Sequence, residues 1–144
     1  MKKLGAGVAS LMLVVSLVIL AAPVGATPGS SETIVLKRSG DLTEIGWSAS
    51  GAFTDAGSWT SDFLAFGQGP IFAGTIKTTE TNANRTGRFR ILFDVQGLPN
   101  TFQGNWKIVD ATGIYAGLHG EGKWSEADDP GNGDHVFTLK GFVH

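Results

Sequence analysis

From residue 33 onward the chain alternates, residue by residue, between apolar or glycine positions and polar ones, in short runs separated by turn-forming residues. A period of two is the signature of a half-buried strand, and eight such runs predict strands over 33–38, 44–54, 58–66, 71–79, 87–96, 101–109, 117–125 and 135–143. No stretch of comparable length keeps helical spacing, although Ala111 to Ala116 has room for one turn. The alternation also sorts side chains by face. Phe89, Ile91, Phe93 and Val95 share one side of the fifth run and Arg88, Arg90 and Asp94 the other; Phe102, Gly104, Trp106 and Ile108 oppose Thr101, Gln103, Asn105 and Lys107 in the sixth. The seventh sets Leu118, Gly120, Gly122 and Trp124 against His119, Glu121, Lys123 and Ser125, and the last puts Phe137, Leu139, Gly141 and Val143 together. In the second run Ile45, Trp47, Ala49, Gly51 and Phe53 form the dry side. The third and fourth runs break step, because Phe66, Phe72 and Ile76 fall on the opposite parity to Trp59, Phe63 and Ile71; either both faces carry apolar residues or a bulge intervenes.

Eight one-sided strands with short connections and no helix to cover them must close into a barrel or pair as two sheets, and closure also removes the exposed edges. The expected fold is all-β, an eight-stranded antiparallel β-barrel. A barrel of this size either fills with side chains or leaves room for one small ligand. The inward set mixes Phe102, Phe137 and six further rings, Trp47, Phe53, Phe89, Phe93, Trp106 and Trp124, with Gly51, Gly104, Gly120, Gly122 and Gly141. Two readings follow. Glycine makes room for a ring from the next strand or lets the sheet bend; or the rings and gaps form an apolar cavity in which those six aromatic residues bind a small hydrophobic molecule.

The first 26 residues follow a different pattern: Lys2 and Lys3, an apolar stretch over 11–22, then Val24-Gly25-Ala26 before Thr27. A basic start, an apolar middle and small residues before a cut describe a secretory signal peptide. The expected organisation is a signal peptide over 1–26, a Pro/Gly/Ser linker over 27–31 and one barrel domain over 32–144, in a secreted protein with no stable membrane anchor after cleavage. An uncleaved anchor fits less well, because Pro23 breaks the run and no positive stop follows it. The chain has no cysteine, so disulfides and an N-terminal lipid are excluded. Without Lys2 and Lys3, nine basic residues stand against thirteen acidic ones. With no basic stripe, that balance excludes a nucleic-acid partner.

From Gly104 the chain reads Gly-Asn-Trp-Lys-Ile-Val-Asp-Ala-Thr-Gly-Ile-Tyr-Ala-Gly-Leu-His-Gly-Glu-Gly-Lys-Trp, and it closes with Val136-Phe137-Thr138-Leu139-Lys140-Gly141. A strand, a Thr-Gly-x-aromatic turn, a Gly-rich strand and a last strand ending Leu-Lys-Gly resemble the C-terminal half of allene oxide cyclase barrels and dirigent-like proteins, here as a bacterial secreted relative. The resemblance implies a calycin-like barrel, a cofactor-independent isomerase or cyclase as the enzymatic alternative, and dimers or trimers as in some members. It does not transfer catalytic residues, which remain unknown at this stage. A filled-core structural or interaction module is the remaining alternative.

Other chemistry-bearing residues have plainer explanations. His119 and Glu121 point the same way from one strand, yet no further ligand faces them, so they read as solvated side chains and not as a metal site. The run from Asp128 to Asp134 is oxygen-rich, but its Pro-Gly and Asn-Gly pairs make a hairpin turn and it lacks the spacing of a helix-loop-helix calcium loop. Asn84-Arg85-Thr86 has the form of a glycosylation acceptor and lies in a polar hairpin loop. Tyr115, the single tyrosine, is placed to plug one barrel end with its hydroxyl reaching water. Ser48, Thr60, Arg88, Arg90, Asp94, His119 and Glu121 all alternate outward, which predicts an interior poor in groups able to move a proton.

Overall fold

Eight strands close edge to edge in the computed structural model, each paired antiparallel with its sequence neighbour and the last with the first. They are β1 (Ser30–Arg38), β2 (Glu44–Gly51), β3 (Asp55–Phe66), β4 (Phe72–Asn82), β5 (Gly87–Gly97), β6 (Gln103–Gly113), β7 (Gly120–Asp128) and β8 (His135–Val143). The structure describes residues 29–66, 72–98 and 101–144, with side chains left undescribed at 63–66 and 72. The expected signal peptide over 1–26, its cleavage point and residues 27–28 of the expected linker lie outside the described residues, as does Ile71, while Ser30 and Ser31 at the linker's end already belong to β1; Phe63, Phe66 and Phe72 lie where no side chain is described. Among the described residues no helix is long and apolar enough to cross a membrane. The outer wall carries exposed Arg88, Asp94, Lys107, Glu121, Lys123 and Lys140, where a lipid-facing barrel would show an apolar band.

The expected alternation holds best along β5, where Phe89, Ile91, Phe93 and Val95 are buried with polar residues between them. Ile34 and Leu36 of β1, Trp47 and Ala49 of β2, Trp59 of β3, Trp106 and Ile108 of β6, Trp124 of β7 and Leu139 and Val143 of β8 complete one contiguous core. Among the described residues three bulges interrupt the ladder. Each skips one residue: Ile45 between β1 and β2, Asp62 between β3 and β4, and Val109 between β5 and β6. The first corrects the assignment of Ile45 to the dry face, since the extra residue leaves Ile45 outside and 53% exposed while Glu44 comes opposite Arg38. The second accounts for the broken step of the third run. β2 is also shorter than its pattern suggested: it ends at Gly51, whose φ of 133° only glycine tolerates well, and Phe53 reaches the core from the connection that follows.

Glycine opposite tryptophan gives the wall its tightest contacts. The Trp47 indole donates to Thr81 O at 3.1 Å across Gly57, the Trp124 indole to Asp94 O at 2.7 Å across Gly104, and the Trp106 indole to Lys140 O at 3.3 Å across Gly122. In each case the carbonyl occupies the space of an absent side chain: a Cβ on Gly57, Gly104 or Gly122 would stand 1.9, 2.0 or 2.1 Å from that same oxygen. These glycines are filled from the neighbouring strand and leave no gap.

Candidate functional site

The antiparallel order sends the end of β1, the start of β2, the end of β3, the start of β4 and the β7–β8 hairpin to one mouth of the barrel, marked by Arg38. The other mouth receives the β2–β3 connection and the β6–β7 turn, and it is plugged. Tyr115 is 7% exposed and packs edge-on against Phe89 with ring centroids 5.0 Å apart; Phe53 lies 5.9 Å from Tyr115 and Trp47 5.2 Å from Phe89. The Tyr115 hydroxyl donates to the Asp55 carboxylate. Burial, then that carboxylate, push the phenol well above its ordinary range, so it stays protonated.

At the Arg38 end the rings of Phe93, Trp124, Phe137 and Trp59 touch in sequence, with centroids 5.5, 5.9 and 6.2 Å apart, and with Leu36 and Ile76 they border a narrow cavity whose polar members are Arg38, Ser61 and Thr78. The cavity measures about 20 Å³, room for roughly one water molecule. Arg38 is held over it: its guanidinium carbon lies 5.2 Å from the centroid of the Trp59 ring, and one nitrogen donates to Ser61 Oγ at 2.6 Å and to Glu44 Oε1 at 3.4 Å. Its Nε is buried without a partner. Glu44 is held below the usual carboxylate range chiefly by its own backbone N–H, with the Ser61 amide and Arg38 adding to it. Beside this group His135 Nδ1 stands 3.1 Å from Glu126 Oε1 and 3.2 Å from Asp128 Oδ1, and burial raises Glu126 against the opposing pull of His135.

The six aromatic residues singled out for binding therefore divide. Phe93 and Trp124 line the cavity; Trp47, Phe53 and Phe89 belong to the plug at the far end; Trp106 lies in the wall with its indole bonded to Lys140 O. The other two rings of the lining are Phe137, expected on the inner face but not among the six, and Trp59. Trp59 sits just before the bulge that upset the reading of the third run, so its parity carried no clear meaning.

The interior also holds an acid, against the expectation that it would be poor in proton-moving groups. Glu80 is fully buried, opposite Trp59 on β3 and Phe89 on β5, and the hydroxyl of Thr78, a cavity-lining residue, lies 2.5 Å from its Oε1. Burial pushes the carboxyl up to about 8, opposed by the Thr78 hydrogen bond and reinforced by the negative charge of Asp62. Glu80 shares its parity with Ile76, Thr78 and Asn82, but the positions between them are equally polar, so alternation alone does not mark it as inward.

The remaining candidates stay outside. His119 and Glu121 are exposed, the His119 ring stacking loosely on His144 at 5.8 Å, and among the described residues no three His, Cys, Asp or Glu side chains come together to hold a metal ion. The turn from Asp128 to Asp134 uses its oxygens on itself: Asp129 Oδ1 accepts from Gly131 N and Asn132 Oδ1 from Asp134 N. No family model matches the chain, and neither a curated protein nor a solved structure does.

Proposed function

We propose that the chain is an exported barrel that holds one small apolar molecule at its Arg38 end. The observation that carries this reading is the asymmetry of the interior: Trp59, Phe93, Trp124 and Phe137 surround a cavity at one mouth, while Tyr115, Phe53, Phe89 and Trp47 fill the other. A ligand as large as one ring enters by spreading the lining, and Arg38, whose side chain is 16% exposed, is the member whose displacement opens the cavity to solvent. The leader-like start supports export, and the resemblance of the stretch from Gly104 to Trp124 to allene oxide cyclase and dirigent-like barrels supports a ligand of the oxygenated apolar kind. The buried carboxyl of Glu80 favours a second reading, a cofactor-independent isomerase or cyclase that uses it as an acid. Native mass spectrometry of protein recovered from its own secreting cells tests the first reading. A small molecule released on denaturation is the expected result; protein that carries none and takes up none of a panel of oxidised lipids and phenols contradicts it.

A further inference from the structure

Four polar side chains are buried among the described residues: Glu32, Thr78, Glu80 and Asn82. Two of them serve the backbone. Glu32 accepts from Thr33 N at 3.1 Å and from Phe53 N at 3.0 Å, tying the β2–β3 connection to β1. Asn82 accepts from Thr86 N at 2.8 Å and Gly87 N at 3.1 Å, closing the β4–β5 hairpin. Thr78 and Glu80 tie no other segment down; the hydroxyl meets Glu80 Oε1, and Glu80 Oε2 meets no partner. A buried polar group without a partner costs free energy, and this pair sits against the cavity with Thr78 in its lining.

We propose that the Thr78 hydroxyl, backed by Glu80, is the polar contact of the cavity and selects a ligand bearing an uncharged oxygen acceptor such as a ketone or ester carbonyl. This rests on the Arg38-end cavity being the binding site. The selection follows from proton counting. Only Oε1 of Glu80 has a neighbour to bond, so a proton placed there is donated to the Thr78 oxygen and leaves the Thr78 hydrogen free to donate into the cavity; an ionised Glu80 takes that hydrogen and leaves the Thr78 oxygen only to accept. Burial keeps the protonated form through neutral pH. The charged groups of the adjoining strands do not offset this. Asp62 accepts from Thr60 and Thr79 on the outer wall with Arg90 3.8 Å away, and Lys77, Arg88 and Asp94 alternate outward with them. Asp55 is engaged by Tyr115 and Glu32 by backbone at the plugged end, and Arg38, Glu44, Glu126, Asp128 and His135 stand at the open rim.

Acetophenone and ethylbenzene, nearly equal in shape and differing in one carbonyl oxygen, separate the possibilities by calorimetry. Near pH 6 the wild type is expected to bind acetophenone about tenfold more tightly, the worth of one hydrogen bond. Thr78→Val should remove that preference and leave ethylbenzene binding in place. Near pH 10 the wild-type preference should collapse as Glu80 ionises, whereas Glu80→Gln, which still hydrogen-bonds Thr78, should keep it at both pH values. The carbonyl stretch of bound acetophenone gives a reading that needs no variant: lowered near pH 6 and restored near pH 10. Equal affinity for the two probes near pH 6 overturns the proposal and leaves the cavity reading standing; binding of neither overturns both. A preference that survives Thr78→Val places the carbonyl on another donor of the lining, Arg38 or Ser61, and also overturns it.

Discussion

The two mouths of this barrel are built from the same kind of material and put it to opposite use. At the plugged end a tyrosine, two phenylalanines and a tryptophan pack edge to face, and the one hydroxyl among them is spent on Asp55 at the rim. At the other end two tryptophans and two phenylalanines touch at similar centroid distances, 5.5 to 6.2 Å, but they border a cavity, and Arg38 Nε beside them lacks a partner. Aromatic content alone does not distinguish a core from a site. The distinction is whether the polar atoms beside the rings are already satisfied.

Removing a ring from the wall between the two mouths should have the largest effect. Trp106→Ala deletes a fully buried indole and its bond to Lys140 O, and is expected to lose about 3 to 5 kcal/mol in urea denaturation, while Lys107→Ala on the outer face shifts stability by no more than about 0.5 kcal/mol. Similar midpoints for the two would contradict the facing of β6.

The acid at the inner end of the cavity predicts a pH dependence. The carboxyl of Glu80 titrates near 4.5 when exposed and near 8 in the fold, so between those values the native state holds a proton that the unfolded chain has lost. Stability should therefore be fully present below about pH 4.5 and fall by roughly 1.4 kcal/mol per pH unit until the folded carboxyl ionises, levelling off above it. Chemical denaturation of Glu80→Gln should lack this contribution and overtake the wild type on the alkaline side. A wild type and variant that run parallel across the range would show that Glu80 is not held protonated.

Adding one methyl group to the wall sharpens the same comparison. Gly122→Ala drives a Cβ to 2.1 Å from Lys140 O and displaces the Trp106 indole, so a loss of about 1 to 3 kcal/mol is expected. Gly117→Ala, in the β6–β7 turn, meets no atom within 4 Å but must adopt a φ of 84°, and should lose about 1 kcal/mol. Thermal denaturation ranks the pair; the reverse order would contradict the account of glycine as the seat of a neighbour's indole. Smallest of all, His119→Ala on the exposed face of the β6–β7 segment should move stability by no more than about 0.5 kcal/mol.

The strands β5 to β8 could be read from the chain because their inward positions are apolar or glycine almost without exception, and the closed barrel follows from having eight of them. The bulges could not. One extra residue at Ile45, Asp62 or Val109 reverses the parity of everything beyond it, and no local composition announces it. The site fell where this confusion was greatest. Trp59 and Ser61 precede one bulge, Arg38 faces another, and Thr78 and Glu80 lie in the run from Lys77 to Asn82, whose two faces are equally polar. Phe93, Trp124 and the plugging role of Tyr115 came from strands and a turn free of that difficulty.

The four tryptophans divide evenly: the indoles of Trp59 and Trp124 border the cavity, and those of Trp47, in the plug, and Trp106, in the wall, do not. Their indole N–H resonances, each assigned by a Trp→Phe variant, can be followed in one proton–nitrogen correlation spectrum while acetophenone is added. The Trp59 and Trp124 signals are expected to move together and saturate while those of Trp47 and Trp106 stay in place. Movement led by Trp47, or four signals that never move, would contradict binding at the Arg38 end.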